Sequence, residues 1–195
     1  MSQKSDLERY AALLLKWNAV QNLVSRETVG ELWPRHIEDS LQLMKFVRPD
    51  DTRIIDLGSG GGFPAIPMAI ASRGTNRHFT LVEPIAKKVS FLRTVVRELD
   101  LTVTVLAQRA EQIDSRETFP LITSRALAEV TKLFEMGEAL AGNSARFLLL
   151  KGRNYRQELD SAAAKFHFDV LVHPSESDAE GVILEVSNLQ AKSAA

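Results

Sequence analysis

The stretch Asp56-Leu57-Gly58-Ser59-Gly60-Gly61-Gly62-Phe63-Pro64 constrains the fold most. A buried-strand pattern, Arg53 to Leu57, runs into a glycine turn and then into a helix opened by proline. Glycines let the backbone turn sharply and approach a ligand without Cβ clashes, and Pro64 suits a first helical turn, where a missing N–H costs nothing. Strand, glycine turn and helix in this order form a nucleotide-binding loop.

The loop is selective about its nucleotide. A dinucleotide fingerprint needs glycine at the first, third and sixth positions; Gly58 and Gly60 fit, but the sixth position is Phe63. No Lys-Ser or Lys-Thr follows the glycines, so the loop is not a Walker A motif. Asp56 places a carboxylate beside the turn, which repels phosphate and suits the sulfonium and ammonium groups of S-adenosylmethionine (SAM). A glycine turn without a ligand is the competing reading.

Alternation continues beyond the loop. Strands are expected at Arg53 to Leu57, Phe79 to Glu83, Val103 to Ala107, Leu121 to Ser124, Arg146 to Leu150, Phe168 to His173 and Gly181 to Val186. Helices are expected near Pro64 to Ser72, Ala86 to Leu99, Ala128 to Ala141 and Tyr155 to Phe166. This predicts an α/β, Rossmann-like fold with a seven-stranded, mostly parallel sheet covered on both faces. The link between the last two strands is too short for a parallel crossover, so the final strand is expected to be antiparallel, as in class I SAM-dependent methyltransferases. Apolar spacing puts one helix at about Asp6 to Val20 and another at about Glu31 to Phe46. The 195 residues are read as one methyltransferase domain, with 1–50 as an N-terminal helical cap on a 51–190 SAM-binding core and Ala191 to Ala195 as a frayed tail.

Composition removes several chemistries. The chain has no cysteine, so disulfides, thiolate metal sites and cysteine-dependent cytosine-C5 methylation are excluded. No second histidine stands at metal-ligand spacing from His36, and no metal is assigned. Neither a basic leader nor a run of about 18 apolar residues is present, so a soluble cytoplasmic protein without a membrane partner is expected. Net charge is only −1, but Arg146, Lys151, Arg153 and Arg156 lie together without an acid, around an exposed-looking Tyr155. They form either a local phosphate-binding face or a solvated helix start.

Residues at strand ends are the site candidates, because ligands of such sheets bind outside the carboxyl ends of the strands. Glu83, 25 residues beyond Gly58, can accept both hydroxyls of an adenosine ribose or be an ordinary surface acid. Ala110 and Glu111 follow the third strand and can read an adenine edge, with Glu111 alternatively a helix cap. Arg125 can clamp a carboxylate or phosphate, or form a structural salt bridge.

Taken together, Trp17-Asn18, Asn22-Leu23, Arg35 to Ser40, Asp56 to Pro67, Glu83 with Lys87-Lys88 and Phe91-Leu92-Arg93, Ser124-Arg125-Ala126 and Leu150-Lys151-Gly152 resemble the RsmG (GidB) family, in family order over nearly the whole chain. The resemblance implies SAM-dependent methylation of guanine N7 in 16S rRNA near the decoding site, with S-adenosylhomocysteine as product. It implies cofactor contacts at Gly58, Phe63, Ala110, Glu111 and Arg125, with Glu83 as the ribose acid; Asp56 and Gly60 join the expected cofactor site from the reading of the loop itself. Phosphate contacts are expected from Arg35, Lys87, Lys88, Arg93, Lys151, Arg153 and Arg156, the part of the site that a small ribosomal subunit particle is expected to engage. Departures from the family pattern are Gly61, Ala65 and the non-basic Glu180-Gly181-Val182.

No catalytic residue is expected, because guanine N7 offers a lone pair and carries no proton, so its methylation needs placement and no general base. Methylation at adenine N6 or cytosine N4 calls for an Asn/Asp-Pro-Pro-aromatic motif, where this chain has Thr123-Ser124-Arg125-Ala126. The alternatives are a SAM-dependent enzyme acting on a small molecule and a non-catalytic SAM- or nucleotide-binding module. The sequence leaves the role of His36 and the Arg35 to Ser40 segment open between packing on the loop and facing RNA.

Overall fold

The computed structural model describes residues 2–25, 28–114, 116–125 and 127–193, together with the backbone but not the side chain of Asn143. Ala126 of the Ser124-Arg125-Ala126 motif and the last two residues of the expected tail lie outside the described residues.

Helix α1 (Gln3–Asn18) starts at Ser2, whose hydroxyl accepts from the Ser5 N–H. It buries Leu7, Tyr10, Ala11 and Leu14. Tyr10 and Trp17 both pack on Phe91, with ring centroids 6.5 and 5.7 Å apart. Asn18 then turns the chain, its Oδ1 accepting from Leu23 N–H at 2.8 Å and Val24 N–H at 3.0 Å. That contact explains why Trp17-Asn18 and Asn22-Leu23 stand out together in the sequence.

The regular helix expected from Glu31 to Phe46 is instead broken into a 3-10 turn (Val29–Glu31), a π-helical turn (Trp33–Glu38), a short α2 (Asp39–Leu41) and another 3-10 turn (Gln42–Lys45). Two carbonyls in the π turn bond to side chains: Ser40 Oγ donates to His36 O at 2.5 Å, and Arg125 donates to Arg35 O at 2.8 Å. Side chains that take backbone acceptors compete with the regular ladder, and π turns of this kind recur at functional sites. The apolar pattern still holds, since Ile37 and Leu43 are fully buried.

Strands β1 (Arg53–Leu57), β2 (His78–Val82), β3 (Val103–Leu106), β4 (Phe119–Arg125), β5 (Ala141–Lys151), β6 (Phe166–Pro174) and β7 (Val182–Ala191) form one sheet in the order β3-β2-β1-β4-β5-β7-β6. The first five pair in parallel, and β7 runs antiparallel between β5 and β6. Helices α3 (Ala65–Ala71), α4 (Ala86–Leu99), α5 (Val130–Gly137) and α6 (Tyr155–Ala163) complete the fold.

Side chains alternate across the sheet, as a two-residue period requires. Ile54, Phe79, Leu81, Leu121 and Leu148 join α1, the cap, α3 and α4 in one apolar cluster. Ile55, Val82, Ile122, Phe147 and Leu149 join α5 and α6 in the other. The final hairpin is longer than its apolar pattern: Phe166 pairs with Ala191, so the expected tail begins inside β7. Backbone pairing at a sheet edge does not require apolar side chains, and sequence periodicity underestimates such strands. The helices also begin and end a few residues from their expected limits: α5 starts at Val130 and α6 stops at Ala163.

From β1 the chain moves outward to β2 and β3, then returns to β4 on the other side of β1. The crevice above β1 and β4 is therefore the topological switch point. Tyr10 ties α1 to that crevice: it is fully buried and its hydroxyl donates to Gly61 O at 2.6 Å. Replacing Tyr10 by Phe leaves this carbonyl without its partner, and urea denaturation should show a loss of about 1–3 kcal/mol.

Candidate functional site

The loop after β1 is held by hydrogen bonds to its neighbours. Gly58 N–H and Ser59 N–H both donate to Val82 O at 3.0 Å, and Gly62 N–H donates to Ser59 O at 2.6 Å. Gly58 and Gly60 take φ of 72° and 55°, which side-chain-bearing residues rarely adopt. A Cβ at Gly58 would also lie 2.5 Å from Leu127 Cδ1, so the backbone here is closely covered as well as strained.

Glu83 lies just past β2 and is only 3% exposed, which removes the reading of a surface acid. Its Oε2 accepts from Gly60 N–H and its Oε1 from Ile85 N–H, both at 2.9 Å. A carboxylate accepts about four hydrogen bonds. Two more acceptor positions therefore remain for a ligand diol.

Ala110 is buried in a 3-10 turn (Ala110–Gln112) after β3. Glu111 lies inside that turn and does not cap it; the capping position belongs to Arg109. The Glu111 carboxyl is held below its usual range by its own backbone N–H first and by Lys132, 3.3 Å away.

Asp56 is buried in β1. Thr123 Oγ1 donates to its Oδ1 at 2.8 Å, while its Oδ2 is buried without a hydrogen-bond partner. Burial pushes the carboxyl up to about 7, against the opposing pull of the Thr123 hydrogen bond and the charge of Arg125; the Ser59 hydroxyl lies close by but donates to the Asp56 main-chain carbonyl at 3.2 Å. The simple picture of a permanently charged carboxylate beside the loop is corrected accordingly: desolvation makes the charged form costly until a cation is supplied.

Arg125 is engaged in the contact with the cap. Its guanidinium donates to Arg35 O at 2.8 Å, to Asp39 Oδ2 at 3.2 Å and to His36 Nδ1. It also lies 5.1 Å over the Phe63 ring, on which His36 packs with centroids 5.0 Å apart. The Arg35 to Ser40 segment thus packs the cap onto the glycine loop. Burial and the neighbouring Arg125 and Arg35 charges lower the His36 pKa to about 4.

Beside this contact, at the carboxyl ends of β4 and β5, lies an open cleft of about 480 Å³ bordered by Arg125, Leu127, Lys151, Glu158, Ser177 and Asp178. The connection between β6 and β7 forms one wall. Gln42 Nε2 donates to Asp39 at 2.7 Å and to Ser175 at 3.1 Å, and Ser177 Oγ donates to Asp39 at 2.7 Å. Sequence reasoning touched this wall only at Gly181-Val182 and missed Ser175, Ser177, Asp178 and Leu127. Asp39 fell within a highlighted segment, but nothing in the sequence links it to Ser177, 138 residues away.

The basic candidates separate. Lys151 is already engaged: its side chain is 7% exposed and its ammonium donates to Glu158 Oε2 and Ala128 O, both at 2.6 Å, so a phosphate would have to displace a half-buried ion pair. Arg146 is likewise interior, bound to Asp51 at 2.5 Å and Glu185 at 2.8 Å. Arg153 remains 75% exposed, 3.5 Å from Glu180, and Arg156 lies over the ring of a half-buried Tyr155. Lys87 and Arg93 are exposed on α4, with Lys88 half-buried. Because α4 and α6 cover opposite faces of the sheet, these cations do not form one patch. Arg35 is half-exposed and pairs with Glu31 and Asp178, each at 3.7 Å. Among the described residues no helix is long and apolar enough to cross a membrane, and no cluster of His, Asp or Glu is arranged to hold a metal.

The family model "GidB: rRNA small subunit methyltransferase G" matches residues 3–181. A relative from Gluconobacter oxydans, named ribosomal RNA small subunit methyltransferase G, is 44% identical over 184 residues, spanning 94% of this chain and 93% of the relative. One of the same name from Bartonella tribocorum is 42% identical over 187 residues, spanning 95% and 87%. Among solved structures, a SAM-dependent methyltransferase from Aquifex aeolicus has a TM-score of 0.63 at 15% identity, covering 88% of this chain and 97% of its own. The glycopeptide N-methyltransferase MtfA in complex with SAM also reaches 0.63, at 12% identity, over 77% and 93%. These two structures share the fold.

The raised Asp56 pKa has a definite sign for stability. Below about pH 4 the carboxyl is protonated both folded and unfolded, and it costs nothing; the penalty grows as pH rises and is complete above about 7. Asp56→Asn should therefore stabilise the ligand-free protein at pH 8, by on the order of 1–4 kcal/mol, and change little at pH 4. Denaturant titrations at the two pH values measure the difference.

Proposed function

The chain belongs to the GidB family of rRNA small subunit methyltransferase G, which makes it a SAM-dependent rRNA methyltransferase, and we propose that its acceptor is N7 of a guanosine in 16S rRNA near the decoding site, presented on a small ribosomal subunit particle. The observation that carries this reading is the family match along residues 3–181, which includes the loop, Glu83 and the cleft wall up to Gly181.

The residues of the switch-point crevice fit SAM. A buried carboxylate oxygen without a partner lies beneath the loop at Asp56, and Glu83 keeps acceptor capacity beside Gly60. In the proposed arrangement Glu83 holds the ribose hydroxyls, Ala110 and Glu111 border the adenine, Gly58 and Gly60 permit close backbone approach, and Asp56 faces the cationic end. Phe63 supports the loop against His36 and Arg125. When bound, SAM supplies an electrophilic methyl group on a sulfonium.

The protein's task at an N7 acceptor is placement, since no proton has to leave. The groups around the cleft agree with that task. Lys151 is paired with Glu158, Asp39 with Arg125, and His36 with its pKa near 4 is a poor base at neutral pH. Exposed Arg153 and Arg156 on one side, and Lys87, Lys88 and Arg93 on the other, supply phosphate contacts, while Lys151 shapes the cleft. Residues 1–195 act together in this reading, because the cap supplies part of the wall.

Nucleoside analysis of 16S rRNA treated with the protein should show 7-methylguanosine when small-subunit particles are the substrate and none with free guanosine. A different methylated nucleoside would refute the N7 assignment. Glu83→Ala should weaken SAM binding by about 1–3 kcal/mol in calorimetry, because the ribose hydroxyls lose a paired acceptor. Arg153→Ala with Arg156→Ala should leave SAM affinity intact and reduce the log–log salt slope of particle binding by about 1 to 2.

A further inference from the structure

We propose that Leu127 is the surface on which the acceptor base packs: its side chain stands between the glycine loop and the cleft and holds the flat face of the nucleobase beside the methyl donor. The proposal rests on the reading of the cleft as the acceptor site and adds to it the residue that places the base.

Leu127 touches both halves of the site. It lies between the end of β4 and the start of α5, borders the cleft, and keeps 41% of its surface exposed. It also covers Gly58: a Cβ added there would lie 2.5 Å from Leu127 Cδ1 and 2.8 Å from its Cδ2 and Cγ. Gly58, with φ of 72°, is a position at which the loop permits close ligand approach. One side chain therefore spans the boundary where donor and acceptor have to meet.

The lining of the cleft singles out the same residue. An enzyme that reacts with a base of a folded nucleic acid takes that base out of the stack, and an aromatic or apolar surface replaces the lost neighbours. At about 480 Å³ the cleft falls within the range of small-ligand sites, roughly 300–1,000 Å³. None of the described residues bordering it is Phe, Tyr or Trp. Leu150 is buried at 6% exposure, and Ala128 and Val182 are half-buried. Among the described lining residues, Leu127 is the large apolar side chain that remains open to a base.

The segment that carries it is held in place. Ala128 O accepts from Lys151 Nζ at 2.6 Å, and Val130 N–H donates to Glu158 Oε2 at 3.0 Å. Lys151 and Glu158 are joined to each other at 2.6 Å, so one ion pair grips the backbone on both sides of Glu129. The pair thereby fixes the start of α5 and the position of Leu127. An apolar seat suits a reaction whose main requirement is placement, because it offers the base no competing hydrogen bond.

Three variants separate placement of the base from support of the loop. Leu127→Gln keeps bulk over Gly58 but makes the seat polar, Leu127→Ala removes it, and Leu127→Met preserves its apolar volume. Calorimetry measures S-adenosylhomocysteine affinity, and methyl transfer to small-subunit particles is followed in single turnovers against particle concentration. We expect Leu127→Gln and Leu127→Ala to lower transfer efficiency by about tenfold or more, the loss that accompanies removal of an apolar side-chain contact, with S-adenosylhomocysteine affinity unchanged. Leu127→Met should recover to within about threefold of wild type. Full transfer efficiency in the Gln and Ala variants overturns the proposal, and so does a Met variant as impaired as Gln. A loss of S-adenosylhomocysteine affinity that matches the loss of transfer also overturns it, since Leu127 would then support the cofactor loop. A wild-type product other than 7-methylguanosine overturns the N7 assignment alone, because the Leu127 comparison is then read on that product. Wild-type protein that binds S-adenosylhomocysteine but methylates no particle overturns both.

Discussion

A carboxylate removed from water has to be held by donors, and the site depends on how Glu83 meets that requirement. Its two oxygens accept from Gly60 N–H in one loop and Ile85 N–H in another, joining the carboxyl ends of β1 and β2. Hydrogen bonds to a charged group are worth about 1.5–3 kcal/mol each, enough to fix a glycine loop that has little stiffness of its own. Gly58 and Ser59 add their bonds to Val82 O, so the loop is anchored on β2 as well as on the strand it leaves. The buried acid at the end of β2 thus shapes the crevice.

A second set of contacts joins elements that are far apart in the chain. Asp39 receives Arg125 from β4, Gln42 from the cap and Ser177 from the connection between β6 and β7. Lys45 adds a bond to Glu176 in that connection. The cap is therefore part of the cleft and not an accessory: its broken helix leaves carbonyls at Arg35 and His36 for Arg125 and Ser40. On the other side, Arg146 lies among Asp51, Glu185 and Phe46 O, a satisfied interior cation beneath the end of the cap. Breaking such a pair leaves an uncompensated buried charge, which makes its loss more expensive than its formation is favourable.

These networks divide the charged residues into two kinds that look alike in a linear reading. Arg146, Lys151, Arg153 and Arg156 form one basic run in the sequence. In the fold, the first two are held in ion pairs, Arg146 buried and Lys151 half-buried, and the last two face water. The same applies to Arg125, whose planar fork suits a ligand but already serves Asp39 and the cap. Burial and partner availability, which residue type does not encode, decide between a structural and a binding cation.

The sequence by itself determined the class of the fold, because its evidence is local. Alternating apolar residues identify strands, helical spacing marks α1 and α4, and Gly58 to Pro64 between strand and helix places the nucleotide loop. The short link before β7 was enough to set its antiparallel direction. Only the tertiary structure decided what is set by contacts distant in sequence: the strand order that brings Thr123 to Asp56, the burial of Glu83, the engagement of Lys151 by Ala128 O and Glu158, and the joining of Asp39 to Ser177. The cap illustrates the difference well, since its apolar period survives while its helix is broken by side chains from β4 and from within the cap itself. Periodicity records which face is buried; hydrogen-bond partners and desolvation depend on what that face meets.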